Sequence, residues 1–168
     1  IAMLACMLII PANAAETEAE EHIEIIIVND CSTDSTPDIC EQLSAQNTNV
    51  YTIHLQKNSG PSQSRNAGID IATGEWIAFI DSDDWIEPDF LQTLYDAMVA
   101  QDAQIAECAI HLVDEDGNIL RDRSPATSET IDKMEALRRL VLEDGVYQTV
   151  WNKLYRRQVI DGILFEKG

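Results

Sequence analysis

Positive charge is scarce in this chain and absent from its first third: no lysine or arginine precedes Lys57, and nine of the eleven basic residues follow residue 120. Against 30 acidic residues this leaves a net charge of -19, which excludes direct nucleic-acid binding, since that function needs a basic footprint on the phosphates. An anionic ligand bound in the first half needs a metal ion, backbone amides or Arg65 to hold it. Metal-ligating sulfur and nitrogen are also sparse. The four cysteines (Cys6, Cys31, Cys40, Cys108) form no C-x-x-C pair, and His22, His54 and His111 are scattered, so no zinc site is expected. Reduced thiols in a cytosolic protein are the default reading. There is no internal repeat and no low-complexity stretch, and 168 residues at 45% hydrophobic make one globular domain with a real core.

The first residues, "IAMLACMLIIPANAAETEAEE", imitate a secretory apolar region followed by a cleavage site. No initiator methionine or basic leader residue accompanies them, and ten apolar residues are too few to span a bilayer. A buried strand over residues 3–10 is the reading we adopt. Further along, "HIEIIIVND" predicts a strand from Glu24 to Val28, and Thr36 with Pro37 opens a helix. "VYTIHL" alternates as a half-buried strand. A helix follows from about Pro61 to Ala72, then a strand over 75–80 and a helix from Pro88 to about Ala100. "QIAECAIHLV" predicts another strand, "DEDGN" a turn, and residues Thr130 to Glu143 a helix. Strands alternating with helices point to an α/β fold with a mostly parallel sheet flanked by helices. Ligands of such sheets bind beyond the carboxyl ends of strands, where "VND" and "FIDSDD" both fall.

"FIDSDDW" sets Asp81, Asp83 and Asp84 at the end of an apolar run. Carboxylates this close raise one another's pKa unless a positive group neutralises them. Oxygen ligands of this kind suit Mg²⁺ or Mn²⁺, with substrate phosphates completing the shell. An exposed acidic turn ahead of a helix is the alternative. An EF-hand is excluded because Trp85 and Ile86 occupy the fifth and sixth positions of the loop. A haloacid-type phosphatase, with Asp81 as nucleophile, also uses Asp-x-Asp after a strand, but Trp85 stands where it usually has Thr or Val.

Taken together, "EIIIVNDCSTDST", "NSGPSQSRNAGIDIATG" and "EWIAFIDSDDW" resemble three ordered motifs of the family-two glycosyltransferases, which have the Rossmann-like GT-A fold. The match runs from about Ile23 to Leu91 and is visible again, more weakly, in "VWNKLYRR". The resemblance implies an inverting transferase using a nucleotide-diphospho-sugar donor, with a family bias to UDP, and a saccharide or lipid-linked acceptor. Surface polysaccharide assembly, in the cytoplasm or at the inner face of the membrane, is a role common among relatives. It further implies that Asp30 bonds the uracil edge, that Arg65 lies near the base, and that Asp81 faces the ribose. Asp83 corresponds to the ligand of Mn²⁺ or Mg²⁺ beside the diphosphate, and Asp84 to a loop support. Pro11, Ala12 and Asn13 correspond to a loop under the nucleotide. On this reading residues 1–22 are an irregular first strand and acidic linker, 23–125 the nucleotide-sugar-binding core, and 126–168 the helical start of an acceptor-side portion.

Three departures stand against the family pattern. Asn29 and Cys31 replace an Asp and a Gly, and Cys31 tolerates a positive φ less well. Only nine residues, Ala14 to His22, separate Asn13 from the next strand, fewer than the dozen or so a parallel crossover needs. The first strand therefore pairs differently or is not the family's first strand; if it is missing, an uncovered apolar edge would favour a homodimer. The family's catalytic base, needed to deprotonate the acceptor, lies further along than Gly168. Glu166 is a candidate by position only, so the catalytic residue is unassigned and a nucleotide-binding module without a base is the alternative function.

Overall fold

The computed structural model describes residues 2–9, 22–124 and 127–166. Among these residues, eight strands and five helices form in the order β1 (Ala2–Ile9), β2 (His22–Asn29), α1 (Thr36–Gln46), β3 (Val50–His54), α2 (Gly60–Ile71), β4 (Trp76–Ile80), α3 (Phe90–Gln101), β5 (Ile105–Glu107), β6 (His111–Val113), β7 (Ile119–Asp122), α4 (Lys133–Leu142), β8 (Lys153–Arg156) and α5 (Arg157–Ile160). Six strands make one sheet in the order β3-β2-β1-β4-β8-β5, and β6 with β7 makes a separate hairpin. Asp114 closes the hairpin turn by accepting the amides of Asp116 and Asn118 at 3.1 and 2.8 Å.

The central strand shows why the sheet is buried on both faces. "WIAFI" is a continuous apolar run with all of its residues buried, as expected of a strand covered by helices on either side. Ile77 and Phe79 point to one face, where they meet Ile26, Val28 and Tyr155, with Ala67 and Ile69 of α2. Trp76 and Ala78 point to the other and meet Leu94 and Met98 of α3 and Leu154 of β8. On that same side α1 leans on β3, where Thr52 donates to the Cys40 carbonyl.

The α/β layering matches the sequence expectation, but the strand directions need a correction. β2 and β3 run parallel, whereas β1 is antiparallel to both β2 and β4, and β8 to both β4 and β5. Four strands thus share one direction, with two reversed strands set between them. The connection to β2, residues 10–21, is at the lower limit for a parallel crossover but ample for the antiparallel return that β1 makes. Because β1 lies inside the sheet, the uncovered edge on which a homodimer was expected does not arise. β8 also lies inside the sheet, so the sheet draws on chain beyond residue 125. The predicted single strand over "QIAECAIHLV" is divided, because Asn152 takes over the bonding at its middle. The Cys108 amide donates to the Asn152 carbonyl, and the Asn152 side-chain amide donates back to the Cys108 carbonyl.

Candidate functional site

The site is built where β2 and β4 end. In register, Ala2 of β1 pairs with Asn29 and Leu4 with Ile80, which brings both acidic strand ends to one edge of the sheet. With one strand between them, Asp30 and Asp81 emerge about 10 Å apart, two strand spacings.

Asp30 is buried, and both carboxylate oxygens accept backbone amides, from Ser59 and from Gly60, at 2.7 Å each. It therefore ties the end of β2 to the first residues of α2. Gly60 sits at φ +81°, a conformation that a side chain would strain, and this presents its amide to the carboxylate. Each oxygen keeps a second lone pair for another donor. Beside it, Asn29 accepts from the Ser32 amide at 3.1 Å, and its side-chain nitrogen meets His54 Nδ1 at 2.9 Å. Since that nitrogen can only donate, His54 carries its proton on Nε2, which faces Glu41 at 2.8 Å. Asn29 thus accepts a hydrogen bond, as the aspartate it replaces could. Cys31 adopts φ +58°, the left-handed conformation that its family counterpart, a glycine, reaches without strain.

The acidic turn is closed by the Asp84 amide donating to the Asp81 carbonyl at 3.1 Å. Arg65, projecting from α2, donates through Nη2 to Asp81 Oδ1 at 3.0 Å, with side chains only 15% and 29% exposed. The positive group opposite Asp81 is thus a side chain, where the sequence pointed to a bound cation. Arg65 Nε is buried and has no hydrogen-bond partner among the described residues. Asp83 and Asp84 lie exposed beyond it. Partial desolvation first, then the charges of Asp83 and Asp81, pushes the Asp84 carboxyl above its ordinary value. An added cation would relieve that crowding.

Among the described residues no cluster of three or more His, Cys, Asp or Glu side chains could cage a metal ion. A Mg²⁺ or Mn²⁺ ion that takes one or two carboxylates and completes its shell with phosphate and water needs no such cage. Pro11, Ala12 and Asn13 lie outside the described residues. Glu166 borders an open cleft of about 630 Å³ beside α2, shared with Asn66 and Asp70.

Two features escaped the sequence reading. A polar node joins β5, β8 and the chain before β8: buried Lys153 donates to the carbonyls of Tyr147 and Thr149 at 2.9 and 2.6 Å and pairs with Glu107 at 3.2 Å. Burial lowers the Lys153 pKa, against the opposing charge of Glu107. The second is the grip of Arg65 and Asn66 on Phe165. "VWNKLYRR" held Lys153 of the first, but nothing local marked its partner Glu107.

The model for glycosyl transferase family 2 matches residues 12–164. The chain belongs to that family. It is 39% identical over 141 residues to the putative glycosyltransferase EpsH of Bacillus subtilis, covering 84% of this chain and 40% of EpsH. It is 41% identical over 104 residues to the succinoglycan biosynthesis protein ExoO of Rhizobium meliloti, covering 62% of this chain and 29% of ExoO. The chain therefore spans less than half the length of these relatives. Among solved structures, S. aureus TarS 1-349 in complex with UDP superposes with a TM-score of 0.64 at 23% identity, over 86% of this chain and 41% of that one. That likeness is one of fold, and it confirms the GT-A class. Membership of glycosyl transferase family 2 also replaces the phosphatase reading of the Asp-x-Asp turn. Among the described residues no helix is long and apolar enough to cross a membrane.

Proposed function

We propose that this chain forms the donor-binding part of a glycosyltransferase that transfers a sugar from a nucleotide diphosphate, a UDP-sugar, to a saccharide or lipid-linked acceptor. The observation that carries this is the Arg65–Asp81 pair at the strand ends, beside the buried Asp30 carboxylate. Arg65 is one of only two basic residues before residue 120, and it supplies positive charge where an anionic nucleotide would need it. TarS, solved with UDP and with UDP-GlcNAc on the same fold, supports the choice of donor. ExoO and the putative teichuronic acid glycosyltransferase TuaG, named for polysaccharide synthesis, support a saccharide acceptor. On this reading the enzyme works in surface polysaccharide assembly on the cytoplasmic side.

Within the site, Asp30 offers its remaining lone pairs to the base, Arg65 lies along it, and Asp81 receives the ribose hydroxyls. Asp83 would hold the divalent cation beside the diphosphate. A cation so placed supplies Lewis-acid stabilisation of the departing nucleoside diphosphate. Asp84 supports the turn without touching the donor. Calorimetric titration of the folded chain with UDP and Mn²⁺ should show saturable binding, and Asp83→Ala should weaken it at least tenfold, about 1.4 kcal/mol or more. A folded wild-type chain that takes up no UDP in the presence of Mn²⁺ refutes the proposal. Release of sugar from a UDP-sugar by the same chain separates an active transferase from a binding module without a base.

A further inference from the structure

Phe165 and α2 are joined by contacts that the donor-site reading leaves unused. Asn66 holds the backbone of Phe165 in both directions: its side-chain nitrogen donates to the Phe165 carbonyl at 2.9 Å, and its oxygen accepts the Phe165 amide at 2.9 Å. The Phe165 ring meets Phe79 of β4 edge-on, with centroids 5.6 Å apart. It also lies against the Arg65 guanidinium, 5.5 Å from ring centroid to Cζ. The two residues before it, Ile163 and Leu164, are 60% and 67% exposed, so Phe165 is what docks this stretch. Arg65 is consequently bracketed, with an aromatic ring against its guanidinium and the Asp81 carboxylate at its end. A long arginine side chain loses substantial rotamer freedom when ordered, and here that ordering is done before any ligand arrives.

We propose that Phe165 is a positioning residue of the donor site, presetting the Arg65 guanidinium against Asp81 so that the nucleotide meets an arginine already in place. The inference rests on the donor-site reading above. It makes the stretch after α5 a determinant of nucleotide affinity, although 99 residues of sequence separate Phe165 from Asn66.

The test compares the wild-type chain with Phe165→Leu, Phe165→Tyr and Arg65→Ala, using UDP with Mn²⁺ as the probe. Phe165→Leu should weaken UDP binding about three- to tenfold, the range of a partly desolvated cation–π contact, while Phe165→Tyr, which keeps the ring, should bind as wild type does. In an Arg65→Ala background, Phe165→Leu should cause no further loss, because the ring acts through the arginine. The Arg65 Nε–H proton resonance should stand upfield of those of exposed arginines in the wild type and in Phe165→Tyr, and return among them in Phe165→Leu. Should Phe165→Leu fail to fold, Phe165→Met, close in volume but without a ring, carries the same comparison. Equal UDP affinity in wild type and Phe165→Leu overturns this inference alone, as does an equal loss with and without Arg65. A folded wild-type chain that binds no UDP overturns the donor-site reading and this inference with it.

Discussion

Cys31 is held in a left-handed conformation at φ +58°, in the turn that leads from β2 toward α1. A residue with a Cβ costs roughly 1–2 kcal/mol there, whereas glycine would pay only the extra chain entropy, of about 0.5–1 kcal/mol. Cys31→Gly should therefore stabilise the protein by about 0.5–1 kcal/mol and raise its melting temperature by about 1–4 °C. A lower melting temperature would show that the Cys31 thiol, 3.8 Å from the Gln56 carbonyl, contributes more than the strain removes. This position was legible in the sequence because the family motif has glycine where this chain has cysteine. As candidates, Asp30, Arg65 and Asp81 were legible for the same reason, being read from short linear patterns. The pairing of Arg65 with Asp81 was not, since it spans 16 residues and depends on how α2 lies against β4. Phe165 was less legible still, because its role exists only once the chain returns across α2.

α4 illustrates what an element can rest on when packing gives it little. None of its residues is buried, and Met134 and Val141 are largely exposed. A helix of this length is marginal on propensity alone, so its local bonds matter. Asp132 caps it by accepting the Glu135 amide at 2.9 Å, and the Glu135 carboxylate accepts from Arg138 and from Arg139 at 2.8 Å. Those donors, Arg138 first and then Arg139, pull the Glu135 pKa to about 2. A carboxyl whose folded pKa is depressed stabilises the fold above its unfolded value, and the contribution is lost as pH falls through the folded one. Carboxyl-carbon titration of Glu135 should thus give a midpoint of about 2. Amide protection in α4 should fall as the pH drops below the unfolded carboxyl value of about 4.3, and Glu135→Gln should lower that protection already at neutral pH. A midpoint near the ordinary value would mean that the arginines do not engage the carboxylate in solution.

Helix α4 was expected over 130–143, and Asp132 explains why it begins at Lys133. Elements with a strong period, such as α2, α3 and β4, were found within a few residues of where they were expected. What local pattern did not show was direction and neighbour. An apolar strand reads the same whether it pairs parallel or antiparallel, so the reversal of β1 and the insertion of β8 between β4 and β5 emerge only from the sheet as a whole.

For the whole molecule the governing fact is the charge of -19. The late basic residues fold back onto the acidic remainder. Arg156 bonds Asp102 at 2.8 Å and lies 5.0 Å from the Trp76 ring centroid, Arg157 donates to the Ala72 carbonyl at the end of α2, and Lys153 pairs with Glu107. These contacts engage only a few of the 30 carboxylates, so self-repulsion among the others opposes the compact state. Exposed charges are screened by salt, whereas partly buried pairs such as Lys153–Glu107 are screened much less. Raising NaCl from about 0.01 M to about 0.15 M shortens the screening length from about 30 Å to about 8 Å. The melting temperature should therefore rise, by about 2–4 °C if about 1 kcal/mol of repulsion is relieved. A fall would mean that the arginine and lysine pairs outweigh the repulsion. Millimolar Mn²⁺, added at constant ionic strength, should raise it further through binding to the native state. Asp83→Ala should abolish that second increment while keeping the first, because general screening does not depend on one carboxylate and a bound cation does.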